Sequence, residues 1–354
     1  MTALPIENIV GPGFSSPSPE GVLIGHSREG REITGYRLGH GPQQVSLIGG
    51  CHADEPVGPA MLDRLVRFLA AEDPESPFLS RFSWSVVPHA NPDGGVLNSA
   101  WSDHTVGVHD YLGDEDHGYD PVLYVQHVVR ELPGDDVEFG FPRTVDDHEA
   151  RPENQAIAKF LRPRAPFRLH GSFHGMGFAP GPWFLLEPAW IERTAAMRPR
   201  LRDRVRKMSY PLFDIDRKGE KGFQRIDAGF STRPDSIAMA SHFQALGDDA
   251  TAGRFRPSSM ELVRELGGDP LTLVSEMPLF LLPQEPQGGQ GPVFKPGTEG
   301  KRQLHTHLQR LATARDPAAA LADFERLGIR PMPIRDQMRL QLAFLNEALA
   351  CVEA

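Results

Sequence analysis

The chain has 354 residues, of which 40% are hydrophobic and 24% are charged, and its formal net charge at pH 7 is -10. A chain of this length can bury a sizeable core, in one large α/β domain or in two smaller ones. The negative charge argues against nucleic acid or an anionic membrane surface as the main partner. No segment has the roughly 20 apolar residues that span a bilayer, and the first residues lack the pattern of a signal peptide. We therefore expect a soluble cytoplasmic protein.

Two features that often indicate function have simpler interpretations here. The two cysteines, Cys51 and Cys351, are far apart in the sequence, so a disulfide framework is not expected. Cys51 ends an apolar run and is interpreted as a small apolar residue rather than a nucleophile or metal ligand. Residues 198–207 are rich in arginine, but without interleaved aromatic residues they are more typical of a solvated helix face than of a phosphate-binding surface.

The segment 45–56 sets a histidine and a glutamate three residues apart where an apolar strand gives way to a helix. Residues 45–48 have the composition of a short buried strand, two glycines break it, and a helix is predicted over residues 57–69. Positions i and i+3 share a face in a first helical turn, so His52 and Glu55 can converge on one cation at about 2.0–2.2 Å. On the local sequence alone, a loop histidine bonded to its neighbours is an equally good interpretation.

The same spacing occurs earlier in the chain, at His26 and Glu29. Those residues lie in the polar stretch 27–31, whose composition is that of a solvated turn. We interpret them as surface residues.

Two further apolar runs end in segments rich in histidine, asparagine, aspartate or glycine. The run 82–88 leads into His-Ala-Asn-Pro-Asp-Gly at 89–94, and the run 167–174 leads into Gly-Met-Gly at 175–177. In an open α/β sheet such strand ends line the crevice where ligands bind.

Taken in order, these segments resemble the zinc metallocarboxypeptidase family, the carboxypeptidase A-like enzymes and their aspartoacylase-like relatives. The matching segments, which extend from residue 24 to residue 278, are the entry strand and turn, the His-x-x-Glu segment, the Asn-Pro-Asp-Gly turn, a helix, the Ser-apolar-His segment and the strand of the catalytic glutamate, at residues 24–33, 49–58, 91–94, 152–161, 172–174 and 271–278.

The resemblance implies a fold, a metal and a reaction. The fold is an α/β mixed sheet flanked by helices, and the metal is zinc held by His52, Glu55 and His174. Two histidines and one glutamate leave zinc with an open position, as in catalytic sites. Glu276 is then the general base for a metal-activated water that cleaves a peptide or amide bond. A peptide or a small amide is the expected substrate.

Three of these assignments have alternatives. His170 lies four residues before His174, and positions four apart on a strand face the same side, so alternation does not separate them. His174 is preferred because it is expected at the strand end, before the glycines, and because the family match falls there. Asp93 is a weaker candidate for the carboxylate that orients His52, because Asn-Pro-Asp-Gly is also a good turn sequence. Glu276 can be interpreted as a carboxylate paired at a strand edge, but its apolar surroundings favour a functional role.

The sequence also departs from the family. Glu138 and Phe139 stand where an Asn-Arg pair for the substrate's terminal carboxylate is expected, and a negative charge there repels such a group. The oxyanion-stabilising arginine after the Asn-Pro-Asp-Gly turn is missing, and nothing in the sequence selects Arg130, Arg143 or Arg151 as its substitute. The substrate-contacting tyrosine before the catalytic glutamate is absent too. A deacylase or amidase for small N-acyl compounds, or an inactive zinc-binding protein of the same fold, therefore remain alternatives to a carboxypeptidase.

Two regions lie outside the resemblance. Residues 102–149 are rich in acidic residues and histidine, and we interpret them as a long solvated loop in preference to a pocket wall or a second metal site. Residues 214–268 are expected to form excursions around the pocket mouth together with some core. Composition changes near the end of the chain and predicts a catalytic domain over residues 1–282, a linker over 283–300 and a helical appendage over 301–354.

Overall fold

The computed structural model describes residues 3–103, 117–283 and 298–353. In these residues ten strands form a mixed sheet, covered by helices on both faces. The strands are β1 Val22–His26, β2 Glu32–Leu38, β3 Gln43–Gly49, β4 Phe82–Val87, β5 Leu169–Ala179, β6 Trp183–Leu186, β7 Arg225–Asp227, β8 Phe230–Thr232, β9 Leu271–Leu281 and β10 Arg330–Pro331.

The helices lie between groups of strands along the chain. They are α1 Ile6–Val10, α2 Val57–Ala71, α3 Pro77–Ser80, α4 Pro92–Ser102, α5 Pro121–His127, α6 Pro152–Leu161, α7 Met197–Lys207, α8 Ser236–Ala245, α9 Asp249–Ala252, α10 Ser259–Glu265, α11 Thr298–Ala312, α12 Pro317–Arg326 and α13 Ile334–Glu353. None of those in the described ranges is long and apolar enough to cross a bilayer.

The strand order is β1-β2-β4-β3-β5-β9-β6-β8-β7, and β10 pairs with β9. The four central strands β4, β3, β5 and β9 are parallel to one another, while β2 and β6 join them antiparallel. Parallel strands present their carboxyl ends at one edge of the sheet, where ligands bind in open α/β folds. The predicted fold class, a mixed α/β sheet flanked by helices, is confirmed.

The central strands are apolar on both faces because helices cover both. In β3, Val45 and Leu47 belong to the hydrophobic cluster that contains α2 and α13, whereas Ile48 belongs to a second cluster with residues of α6 and α10. This alternation follows from the two-residue period of a strand. It fixes the register of β3 and therefore the place where its carboxyl end leaves the sheet.

The last helix packs inside the main core. Leu342, Leu345 and Leu349, the apolar stripe seen in the sequence, are at most 1% exposed and lie in the cluster that also holds α2 residues and β9 residues. Most of the predicted linker falls in residues 284–297, outside the described ranges, so the division into domains stays a prediction.

Several local predictions can now be compared with the structure. The predicted strands at 45–48 and 82–88 correspond to β3 and β4, and the predicted helix at 57–69 corresponds to α2. Residues 91–94 differ from the predicted turn: Asn91 caps α4, and its side-chain oxygen accepts a hydrogen bond from the Gly94 amide at 2.9 Å. Asparagine is a preferred helix N-cap, so the same four residues begin a helix.

The basic run on α7 is neutralised within the protein. Arg202 forms an ion pair with Asp227, Arg200 pairs with Glu347, and further arginines of the helix pair with other carboxylates. Arg200, Arg206 and Lys207 are exposed, as predicted for a solvated helix face. Both cysteines are free thiols, as expected.

Candidate metal centre

The turn after β3 brings His52 and Glu55 together. Gly50 has a φ of +66°, and a Cβ there would approach Pro59 to 2.8 Å, so the tight exit from the strand requires glycine. Residues 52–55 form a turn, and α2 begins only at Val57. The prediction that His52 and Glu55 share a first helical turn was therefore wrong. The turn itself creates their proximity.

His174 comes from the neighbouring strand. β5 lies beside β3, with Phe173 opposite Gly49, and beside β9, with His174 opposite Glu276. β5 continues to Ala179, so His174 lies within the strand and not at its end as the sequence analysis assumed. Its position across from Glu276 follows from the parallel register.

Four donor atoms of three residues converge at this point. His52 Nδ1 lies 2.8 Å from Glu55 Oε1, His174 Nδ1 lies 2.8 Å from Glu55 Oε2, and the two Nδ1 atoms are 3.1 Å apart. Donor atoms that bind a tetrahedral zinc ion at about 2.0–2.2 Å stand roughly 3.3–3.6 Å from one another. The ion would therefore fit if these donor atoms moved apart by a few tenths of an ångström. The donor set of two imidazoles and one carboxylate fits zinc and leaves a coordination position open.

The charges of these groups depend on one another. Burial alone would lower the pKa of His52, but the Glu55 carboxylate outweighs it and raises the pKa to about 10. Burial would likewise lower the pKa of His174, and Glu55 with Glu138 raises it instead. Although burial would raise the pKa of Glu55, the two imidazoles hold it well below its usual range. For Glu276, burial and then the Glu55 carboxylate raise the pKa to about 8. Such perturbed groups in one cleft are typical of functional sites.

The second ring nitrogen of His174 has its own partners. Nε2 lies 2.6 Å from Ser172 Oγ and 3.2 Å from Glu138 Oε2. Glu138 is 5% exposed, and apart from this contact with His174 its Oε2 has no hydrogen-bond partner within the described residues. Metal-bound histidines commonly donate their other N–H to a carboxylate or hydroxyl. Cys51, Glu138 and His174 also form a buried group of possible metal donors, on the Nε2 side of the ring.

The competing histidine has a different environment. His170 is fully buried, with Nδ1 2.7 Å from Ser46 Oγ and Nε2 2.9 Å from Ser259 Oγ. Both ring nitrogens thus face hydroxyls of β3 and of α10. His26 and Glu29 are exposed, as expected for surface residues.

Asp93 has other partners than the predicted one. Its carboxylate accepts hydrogen bonds from Ser27 Oγ at 2.6 Å, Arg31 Nη1 at 2.7 Å and the Glu29 amide at 3.0 Å. The carboxylate therefore fastens the β1–β2 turn to α4. The suggestion that it orients His52 was wrong, because the polar atoms of that turn take up both of its oxygens.

The metal-centre residues line a cavity of about 420 Å³. Its wall is largely apolar, with Phe139 against Phe255 at a ring separation of 5.4 Å and with Phe223 and Met260 nearby. Residues 130–139 supply one side of it, so the interpretation of that stretch as a solvated loop was wrong and the pocket-wall alternative is confirmed there. Residues 104–116 of the same region lie outside the described ranges.

The arginines named in the sequence analysis have other partners in the structure. Arg130 lines the cavity but pairs with Asp54 at 2.8 Å. Arg151 is buried between Glu131 and Glu153, and Arg143 donates to the Phe255 carbonyl.

Sequence reasoning missed two kinds of contributor. Arg217 and Lys221 line the cavity, as the expectation of excursions around the pocket mouth allows, but no motif singled them out. Gln341 of α13 donates to the His174 carbonyl at 3.4 Å. A glutamine among the apolar residues of that helix was the only signal, since a buried amide needs a polar partner.

Part of the chain, including the three candidate ligands, matches a known protein family. The family described as zinc carboxypeptidase matches residues 19–179, a range that contains His52, Glu55 and His174 and ends before Glu276. Zinc carboxypeptidase A 1 of Anopheles gambiae is 39% identical over 88 residues, which cover 23% of this chain and 20% of that protein. An inactive metallocarboxypeptidase of Talaromyces marneffei is 34% identical over 90 residues, 22% of this chain and 15% of that protein.

Solved structures of metallocarboxypeptidases are similar at low identity. A metallo-carboxypeptidase from Burkholderia cenocepacia has a TM-score of 0.44 at 14% identity, covering 95% of this chain and 65% of that one. The carboxypeptidase A of Helicoverpa armigera has a TM-score of 0.45 at 13% identity, covering 94% of this chain and 69% of that one. The match spans about a fifth or less of the curated relatives. The resemblance to the zinc metallocarboxypeptidase family is confirmed, and its family match lies over residues 19–179.

Proposed function

We propose that this protein is a zinc-dependent hydrolase that cleaves a peptide or amide bond. The observation that carries the proposal is the convergence of His52 Nδ1, Glu55 and His174 Nδ1 within 2.8–3.1 Å, in a cavity that Glu276 also lines. His52, Glu55 and His174 would hold the zinc ion, and the parallel register of β5 and β9 sets Glu276 beside them.

Glu276 is the proposed general base. Burial and Glu55 raise its pKa to about 8, and the positive charge of a bound zinc ion would lower that pKa and favour the ionised carboxylate. Zinc, when bound, polarises the scissile carbonyl and lowers the pKa of a water molecule. The Glu276 carboxylate accepts a proton from the attacking water as its oxygen bonds to the carbonyl carbon, and returns that proton to the leaving nitrogen as the C–N bond breaks.

The residues expected to meet the substrate's terminal carboxylate differ from those of a typical carboxypeptidase. Glu138 and Phe139 both line the cavity, where a terminal carboxylate would otherwise meet an Asn-Arg pair. The Glu138 carboxylate repels such a group at short range. This observation favours, as the second candidate, a deacylase or amidase that acts on a small N-acyl substrate on the same scaffold.

Hydrolysis of matched peptides tests the proposal. Zinc-loaded protein is incubated with peptides that have free or amidated C-termini and with N-acyl amino acids, and released amine is measured. We expect turnover, with Glu276→Gln lowering kcat by about 10²–10⁴-fold while zinc content stays that of the wild type. Zinc without turnover on any substrate would refute the hydrolase and support the inactive zinc-binding protein. Equal rates on free and amidated termini would exclude exopeptidase action and support the amidase.

A further inference from the structure

Arg217 lines the catalytic cavity, and nothing in the proposed chemistry uses it. We propose that Arg217 binds a carboxylate of the substrate and so selects acidic substrates. This inference rests on the proposed function and concerns the same cavity. The substrate would then be a compound that carries a carboxylate close to an apolar group.

The sheet register places Arg217 near the reacting groups. His174 on β5, Glu276 on β9 and Trp183 on β6 stand opposite one another in a row across three neighbouring strands. Adjacent strands are about 4.8 Å apart, so Trp183 lies about 10 Å from His174 along the sheet. The Arg217 guanidinium lies 5.7 Å from the Trp183 ring centre and 4.8 Å from that of Phe223. An extended substrate covers that distance with about three residues.

The Arg217 guanidinium is held in place but has no anionic partner. Within the described ranges no carboxylate pairs with it, and its Nε is buried without a hydrogen-bond acceptor. The other arginine that lines the cavity, Arg130, is by contrast paired with Asp54. The guanidinium lies over the Trp183 and Phe223 rings, whose faces attract a cation, and its fork of N–H donors matches a carboxylate.

The charges of the cavity differ between its two sides. Glu138 contacts His174 on β5, and Asp136 is close to it in sequence and also lines the cavity. Arg217, with Lys221 nearby, lies beyond β9 on the β6 side. A substrate anion is therefore repelled from the Glu138 side and attracted to the Arg217 side. The same orientation would apply to a peptide and to an N-acyl amino acid.

The wall beside Arg217 is apolar. Phe223, Met260, Leu185 and Val274 line it, and an apolar group of the substrate can bury its surface there at about 25 cal/mol per Å². A carboxylate joined to an aromatic or aliphatic group satisfies both features.

The test uses two ligands without an amide bond, 4-phenylbutyrate and the neutral 4-phenylbutanol. Their dissociation constants are measured by calorimetry on zinc-loaded wild type, Arg217→Gln and Lys221→Gln. We expect the acid to bind wild type about 10- to 100-fold more tightly than the alcohol, as for a charged hydrogen-bonded pair. Arg217→Gln should reduce the ratio to within about twofold, and Lys221→Gln should keep most of it.

Other outcomes would overturn the inference. An unchanged ratio in Arg217→Gln would mean that the carboxylate binds elsewhere, for example at the zinc ion. An equal loss in both variants would mean that only the net charge of the cavity matters. Because binding needs no turnover, a failed hydrolysis assay refutes the proposed function without affecting this result, and the reverse also holds.

Discussion

Replacing Glu138 by glutamine should weaken zinc binding, although Glu138 is not among the proposed ligands. Its Oε2 lies 3.2 Å from His174 Nε2, so it faces the N–H that the ring carries when Nδ1 binds the metal. Ser172 Oγ is closer, at 2.6 Å, and supplies the hydrogen bond. Glu138 adds a buried negative charge that favours the cation. Glutamine keeps the shape of the side chain and removes that charge.

The expected loss is about 10- to 100-fold in zinc affinity, the range found when a carboxylate behind a metal-bound histidine is removed. This corresponds to about 1.4–2.7 kcal/mol. The assay is competition with a chromogenic chelator at pH 7. Glu131→Gln is the matched control, because Glu131 lines the same cavity but pairs with Arg151. The zinc affinity of this variant should stay within about threefold of wild type. An affinity within twofold of wild type for Glu138→Gln would refute this role.

Three further predictions concern stability, each measured by urea denaturation. Burial lowers the pKa of His170 from 6.5 to about 4; the unfolded chain therefore takes up the proton first, and stability is lost as pH falls from 6.5 towards 4. Between pH 7 and pH 4 the free energy of unfolding should fall by about 3 kcal/mol more in wild type than in His170→Gln. The same fall in both proteins would contradict this. Leu345 is fully buried, so Leu345→Ala should cost about 2–5 kcal/mol in a single transition; an early separate transition would mean that the last helix unfolds alone. Arg151→Gln leaves the buried Glu153 without its charged partner and should lower the free energy of unfolding by about 3–5 kcal/mol. A loss below 1 kcal/mol would show that the Arg151–Glu153 ion pair is not needed for stability.

The fold was predictable to the extent that apolar runs and glycines mark strands and their ends. The composition of residues 45–48 and 57–69 was sufficient for β3 and α2. Short-range geometry was harder to predict. His52 and Glu55 meet in a turn because Gly50 adopts a positive φ, which the spacing of the residues alone does not reveal.

The candidate site, too, was only partly predictable from the sequence. The sequence could propose His52, Glu55 and His174 together because each follows or lies on a recognisable strand and because the ordered segments resemble the zinc metallocarboxypeptidase family. Arg217 was missed because its place depends on stacking against Trp183 and Phe223, which are distant in sequence. Asp93 was misassigned for a related reason, since its partner Arg31 lies in a turn that pairing of β1 and β2 brings to it. Long-range contacts of this kind are set by the packed sheet and leave no local pattern.

The zinc content of the purified protein tests the central claim most directly. Elemental analysis is made on wild type, His174→Ala and His170→Ala, the last as a matched control because both histidines are buried on β5. Circular dichroism confirms that each variant is folded. The account predicts about one zinc per chain in wild type and in His170→Ala and a sharp drop in His174→Ala. No zinc in wild type, or equal zinc in wild type and His174→Ala, would contradict it.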